Sequence, residues 1–175
     1  MRKYFFLSGT ALLFFCLFTG CASQKEFEPV SMFDSEKYVG TWYEIARFDF
    51  RFEKNLEQTT AHYQLDGKGG IKVTNRGFNY KTHEWKEATG HARFRTDKVN
   101  GALEVSFFGP FYGDYTIIRL DSNYRYALVA GKNTDYLWIL SREKMIPEAV
   151  KNDYLKTAQA YGFDTKRFIW VKQSD

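Results

Sequence analysis

Cysteine is nearly absent from this chain of 175 residues: Cys16 and Cys21 are the two it has. Cys16 falls inside an N-terminal leader, so one thiol remains and no internal disulfide can brace the folded domain. The 155 residues left after the leader must rest on an apolar core, which a single domain of that size can supply. A long hydrophobic run is also missing. The apolar stretch from Tyr4 to Phe18, broken only by Ser8, Gly9 and Thr10, falls short of the roughly 20 residues a membrane-spanning helix needs. With Met1-Arg2-Lys3 before it and small residues after it, residues 1–20 read instead as a secretion signal. An excess of one charge is lacking too. The formal charge of +4 falls to +2 once Arg2 and Lys3 are removed, with both signs interspersed, and this gives no support to a nucleic-acid footprint.

Catalytic constellations are equally sparse. His62, His83 and His91 stand apart, with no cysteine or paired carboxylate at metal-ligand spacing, so surface positions and no metal are expected for them. Gly67-Lys68-Gly69-Gly70 lacks the length and the Lys-Ser/Thr ending of a phosphate-cradling loop and reads as a hairpin turn. No serine occupies a Gly-x-Ser-x-Gly elbow. The sequence supports no catalytic residue and no cofactor, and points to a container rather than an enzyme.

What the chain has in quantity is strand. Eight runs bounded by turn residues cover 41–49, 57–66, 70–79, 84–95, 102–108, 113–121, 124–131 and 134–142. Short connections such as 66–70 and 121–123 favour antiparallel neighbours in up-and-down order. One connection is long and apolar, from Asp49 to Glu57. A helix is expected after Pro147, with Val150, Tyr154 and Ala158 at helical spacing and Gly162 at its end. Arg167–Val171 adds a short ninth strand. Residues 21–33 are polar and aperiodic and read as a tether, and the globular domain is expected to run from 34 to 175.

Lys37-Tyr38-Val39-Gly40-Thr41-Trp42-Tyr43-Glu44-Ile45-Ala46-Arg47-Phe48 is the most informative stretch. Gly-x-Trp opens a β-branched and aromatic run, as it does where a sheet closes on itself. Thr134-Asp135-Tyr136 and Ser141-Arg142 follow later strands at matching distances. With Ser106-Phe107-Phe108-Gly109-Pro110-Phe111-Tyr112 and Tyr136-Leu137-Trp138-Ile139-Leu140-Ser141-Arg142, the chain resembles the lipocalins from about Asp34 to Val171. Within them it is most similar to the bacterial outer-membrane lipoprotein lipocalins of the apolipoprotein D-like branch.

That resemblance implies an all-β fold: an eight-stranded antiparallel up-and-down barrel with one C-terminal α-helix and a short ninth strand. It implies that Thr19-Gly20 precede a lipidated Cys21, that Ala22 directs sorting to the outer membrane, and that the domain faces the periplasm. Gly40, Trp42 and Arg142 are then structural, the guanidinium lying over the indole at the closed end. The connection from Asp49 becomes the lid of the open end.

Strand alternation from an inward Trp42 makes Glu44 and Ala46 inward, with Ala61, Tyr63 and Leu65, then Ala88, Gly90, Ala92 and Phe94, then Leu103, Val105 and Phe107, then Tyr115 and Ile117, then Tyr136, Trp138 and Leu140. Ala46, Tyr63, Phe94, Phe107, Tyr115 and Trp138 are the candidate ligand-binding residues, with plain core packing as the alternative for each. An inward Glu44 needs a partner such as Arg or Tyr. Arg47, Arg51 and Lys54 are placed to meet a head group at the mouth. The expected cargo is a fatty acid such as palmitate, or a lysophospholipid, with another small hydrophobic compound, or a structural or interaction lipoprotein with a filled barrel, as the alternatives. The rings of 107–113 suggest an exposed rim that serves a lipid surface, a ligand mouth or a homodimer contact.

Overall fold

The structure is a computed structural model and describes residues 26–174. The leader, Cys21 and the start of the expected tether lie outside the described residues. A single-turn helix, α1 (Ser35–Tyr38), precedes eight strands: β1 (Gly40–Phe48), β2 (Leu56–Leu65), β3 (Ile71–Asn79), β4 (Glu84–Phe94), β5 (Ala102–Phe108), β6 (Phe111–Leu120), β7 (Tyr126–Ala130) and β8 (Leu137–Ser141). Helix α2 (Glu148–Ala160), one 3-10 turn (Thr165–Arg167) and β9 (Phe168–Trp170) complete the chain. From β1 to β8 each strand pairs antiparallel with its sequence neighbour, and β1 pairs with both β8 and β2, so the sheet closes into a barrel, with β9 added antiparallel to β1. The β1–β2, β3–β4, β5–β6 and β7–β8 connections therefore crown one end, the open one, and the alternate connections lie at the other.

Two cores follow from this closure. Trp42, Tyr63, Ile71, Val73, Leu103, Ile117, Val129 and Leu140 fill the inside of the barrel. Ile45, Ala46, Phe48, Leu128 and Ile139 form an outer layer beneath α2, which contributes Tyr154 and Ala158, one turn apart on one face. The Arg119–Asp153 pair at 2.8 Å also ties α2 to β6. Both partners are about half exposed, so the pair is worth less than about 1 kcal/mol and the apolar layer holds the helix.

A bulge between Glu44 and Ala46 breaks the alternation in β1. Glu44 pairs with the inward Leu140, but Ala46 pairs with Ile139 of the outer layer and Arg47 with Trp138. The inserted residue reverses parity, so Ala46 faces α2 and Arg47 turns into the barrel. Leu65, the last residue of β2, and Ala88, within β4, are exposed as well.

The barrel domain starts earlier than residue 34. Phe27 is buried against Tyr161 and Phe163, its ring centroid 5.1 Å from that of Phe163. The Val30 amide donates to the Ile117 carbonyl, Ser31 bridges to Asn100, and Phe33 is buried near the closed end. The segment expected as tether is thus laid along the barrel wall from Phe27 onward.

Beyond Tyr43, β1 and β2 no longer pair, and the C-terminal residues fill the gap. Val171 donates to the Ile45 carbonyl and Gln58 to the Lys172 carbonyl. The Gln173 amide nitrogen donates to the carbonyls of Glu44 and Thr59, and the Ser174 hydroxyl to Gln58.

Candidate binding site in the barrel

The closed end is built around Trp42, which is fully buried, its indole N–H donating to the Tyr38 carbonyl at 2.8 Å. Arg142 stacks on it, and its guanidinium donates to the carbonyls of Lys37, Tyr38, Val39 and Thr41. Gly40 has φ +97, a backbone that L side chains rarely adopt, and a Cβ there would come 3.2 Å from Arg142 Nη1. Phe94 belongs to this end. It is the last residue of β4, pairs with Leu103 and tilts against Phe33 at 6.2 Å, so it forms floor rather than upper pocket.

Above the floor three phenols meet. Tyr115 lies 2.6 Å from the Tyr38 hydroxyl and 2.8 Å from that of Tyr63. Burial, the largest cause, pushes all three well above the usual tyrosine range, so they stay protonated. Three O–H protons serve two oxygen–oxygen contacts, which leaves one donor for a further acceptor.

Higher still lies a charged tier. Arg47, 2% exposed, donates to Glu44 at 2.6 Å and to the carbonyls of Glu53 and Leu56, while the Thr59 hydroxyl donates to Glu44 at 3.0 Å. The buried carboxylate thus has the arginine partner it requires, and Arg47 is spent inside the barrel rather than offered at the mouth. Arg51 and Lys54 do remain exposed on the lid. Burial, followed by the neighbouring Glu44 charge, pushes the Glu53 carboxyl up to about 8. Glu44 is raised by burial too, but the adjacent guanidinium favours its ionised form, so the proton shared by the two carboxyls rests on Glu53.

The lid joins this tier to the mouth. Trp138 on β8 donates its indole N–H to Glu53 at 3.1 Å. Phe50 makes edge contacts with Tyr136, Trp138 and Phe52, and Phe52 reaches Phe108 across the opening at 5.6 Å. Phe107 and Trp138 point inward yet remain partly exposed, so the upper lumen is open beneath the lid. Asn75 Oδ1 and Arg47 Nε are buried without a hydrogen-bond partner. Outside, a cleft of about 610 Å³ runs along the lid between Asp49, Phe50, Arg51 and Phe52 and the facing Asp135, Tyr136 and Arg167.

Of the residues picked from the sequence, Tyr63, Phe107, Tyr115 and Trp138 are brought together around the lumen, Phe94 lies on its floor and Ala46 outside it. Tyr38, Phe50, Glu53 and Thr59 were missed. For Phe50 and Glu53 the signal was present, since both lie in the connection recognised as a lid. His62, His83 and His91 are all exposed.

Residues 33–173 match the family model described as Lipocalin-like domain. The outer membrane lipoprotein Blc of Escherichia coli is 52% identical over 144 residues, covering 82% of this chain and 81% of that protein. The protein of the same name from Vibrio cholerae is 46% identical over 175 residues, covering 99% of both chains. Among solved structures, insecticyanin from the tobacco hornworm Manduca sexta superposes with a TM-score of 0.69 at 23% identity, covering 86% of each chain.

Proposed function

The chain belongs to the lipocalin-like family as an outer-membrane lipoprotein, and from that premise we propose that its barrel holds one fatty acid or lysophospholipid for storage or transport within the envelope. Cys21 carries the acyl anchor and the domain faces the periplasm. The protein binds and does not catalyse. The observation that carries this reading is the lumen itself: ring-lined, sealed at one end by Trp42 and Arg142, partly open at Phe107 and Trp138, and roofed by an aromatic lid.

An acyl chain lies between the upper rings and the phenol tier, where removing ~14 to 16 methylenes from water contributes a gross ~12 kcal/mol before the costs of association. That supports micromolar affinity or better. The head stays in the cleft at the mouth, where Arg51 meets a phosphate or carboxylate and Phe50 and Tyr136 form the apolar flank. The role is membrane maintenance under stress.

Titrating the domain from residue 22 onward with lysophospholipid and with palmitate, following tryptophan emission, tests this. Saturation at one ligand per barrel is expected. A folded monomer that binds neither ligand removes the proposal.

A further inference from the structure

Exposed rings gather at one end of this barrel. Phe52 on the lid, Tyr80 and Trp85 at the β3–β4 turn, and Phe108, Phe111 and Tyr112 at the β5–β6 turn are all exposed, with Phe108 at 65% and Phe111 at 78%. Among the described residues the closed-end turns carry no exposed ring. A set of exposed rings this concentrated marks an interaction surface. Around the rings both signs are mixed, exposed Asp49, Glu84, Glu87 and Asp135 standing among exposed Arg51, Lys54, Lys81, Lys86 and Lys132, so the open end is within one charge of balance. Aromatic rings among balanced charges suit the head-group layer of a zwitterionic bilayer, where amphipathic rings collect. A polyanionic partner would call for an excess of cations.

The direction of the N-terminal segment points the same way. From Phe33 near the closed end the chain climbs the wall through Val30, and at Glu26 and Phe27 it borders, with Gly131 and Lys132 of the β7–β8 connection, a cleft of about 300 Å³. The β7–β8 connection belongs to the open end. Cys21 is five residues before Glu26, a reach of no more than about 18 Å, whereas a ten-residue strand such as β2 is about 33 Å long. An acyl group on Cys21 therefore suspends the barrel by its open half.

We propose that the ring-bearing rim docks into the interfacial layer of the bilayer that holds the Cys21 anchor, so that cargo passes between membrane and lumen beneath the Phe50–Phe52 lid without crossing bulk water. The docking rests on the anchor, and the passage of cargo on the container reading given above.

The chain has four tryptophans: Trp42 and Trp138 within the barrel, Trp85 on the rim, and Trp170 exposed on β9 at its side. The acylated protein is reconstituted into vesicles of phosphatidylcholine and phosphatidylethanolamine, with and without lipids brominated near the head end of their chains. Bromine is expected to quench the emission, Trp85→Phe to remove most of that quenching, and about 0.5 M salt to leave it unchanged. Replacing Phe108 and Phe111 together by Ser is expected to reduce quenching at Trp85. Quenching that survives Trp85→Phe overturns the proposal, because another face then meets the membrane. Absent quenching overturns it too, and rim-to-rim cross-linking in that case identifies a second copy as the occupant. A lysophospholipid titration in solution separates the two readings. Saturable binding with unquenched Trp85 removes the docking and keeps the container, whereas quenched Trp85 without cargo binding does the reverse.

Discussion

The guanidinium carbon of Arg142 stands 4.0 Å from the centroid of the Trp42 indole, while its nitrogens donate to four carbonyls of the chain that leads into β1. One side chain from the end of β8 thus fixes the entry to β1, which is why residues a hundred positions apart act as a single closure.

Arg142→Met removes these donors together and leaves carbonyls at the closed end unpaired. A loss on the order of 2 to 4 kcal/mol is expected, read as a lower urea midpoint at unchanged slope. Gly40→Ala forces a left-handed backbone on a residue with a Cβ and crowds the same guanidinium. About 1 to 3 kcal/mol is expected from it, by the same measurement.

Arg47→Leu strands the buried Glu44 carboxylate without its charge partner, and a loss of roughly 3 to 5 kcal/mol is expected. Adding Glu44→Leu to the same protein is expected to recover much of that loss, since an apolar pair fills the site without burying charge. A denaturation series over the two single variants and the double variant measures the difference.

Trp138→Ala removes both a lumen ring and the donor to Glu53. Affinity for palmitate or lysophospholipid is expected to drop about ten- to a hundredfold, corresponding to about 1.5 to 3 kcal/mol of lost apolar contact, with the barrel still folded by circular dichroism. Unchanged affinity removes Trp138 from the site.

Lid closure is expected to weaken as pH rises. Glu53 holds its proton up to about pH 8 when buried under the lid and only to about 4.5 when solvated, so between those values the closed lid binds more protons than the open one. Closure is fully supported below about 4.5, declines by up to about 1.4 kcal/mol per pH unit, and levels off above about 8. Hydrogen-exchange protection of residues 49–56 across this range measures the effect. Glu53→Gln, which keeps an acceptor for Trp138, is expected to flatten the profile.

The strands were legible because a half-buried barrel wall writes its two-residue period directly into the sequence, and eight runs bounded by turns leave few other architectures. The same period explains the error at Ala46. A single inserted residue in β1 carries no compositional mark, yet it reverses every orientation after it, which exchanged Ala46 for Arg47 in the lumen. Phe94 is inward as expected but stands lower than the other candidates, because parity says which face a residue takes and not how far along the barrel it lies, and β4 runs towards the closed end. The N-terminal segment was hidden by its polarity. Its buried anchors, Phe27 and Phe33, are single rings in an aperiodic stretch, and only the wall they meet reveals them. The phenol triad draws on α1, β2 and β6, a conjunction that no local pattern records.

Where β1 and β2 part, the barrel wall is completed by Val171, Lys172, Gln173 and Ser174. A polypeptide is made from its N-terminus, so the pieces that seal this seam emerge after all eight strands of the barrel. The vessel stays unsealed until they do, and a chain cut before Val171 would yield a leaking barrel rather than merely a shorter tail.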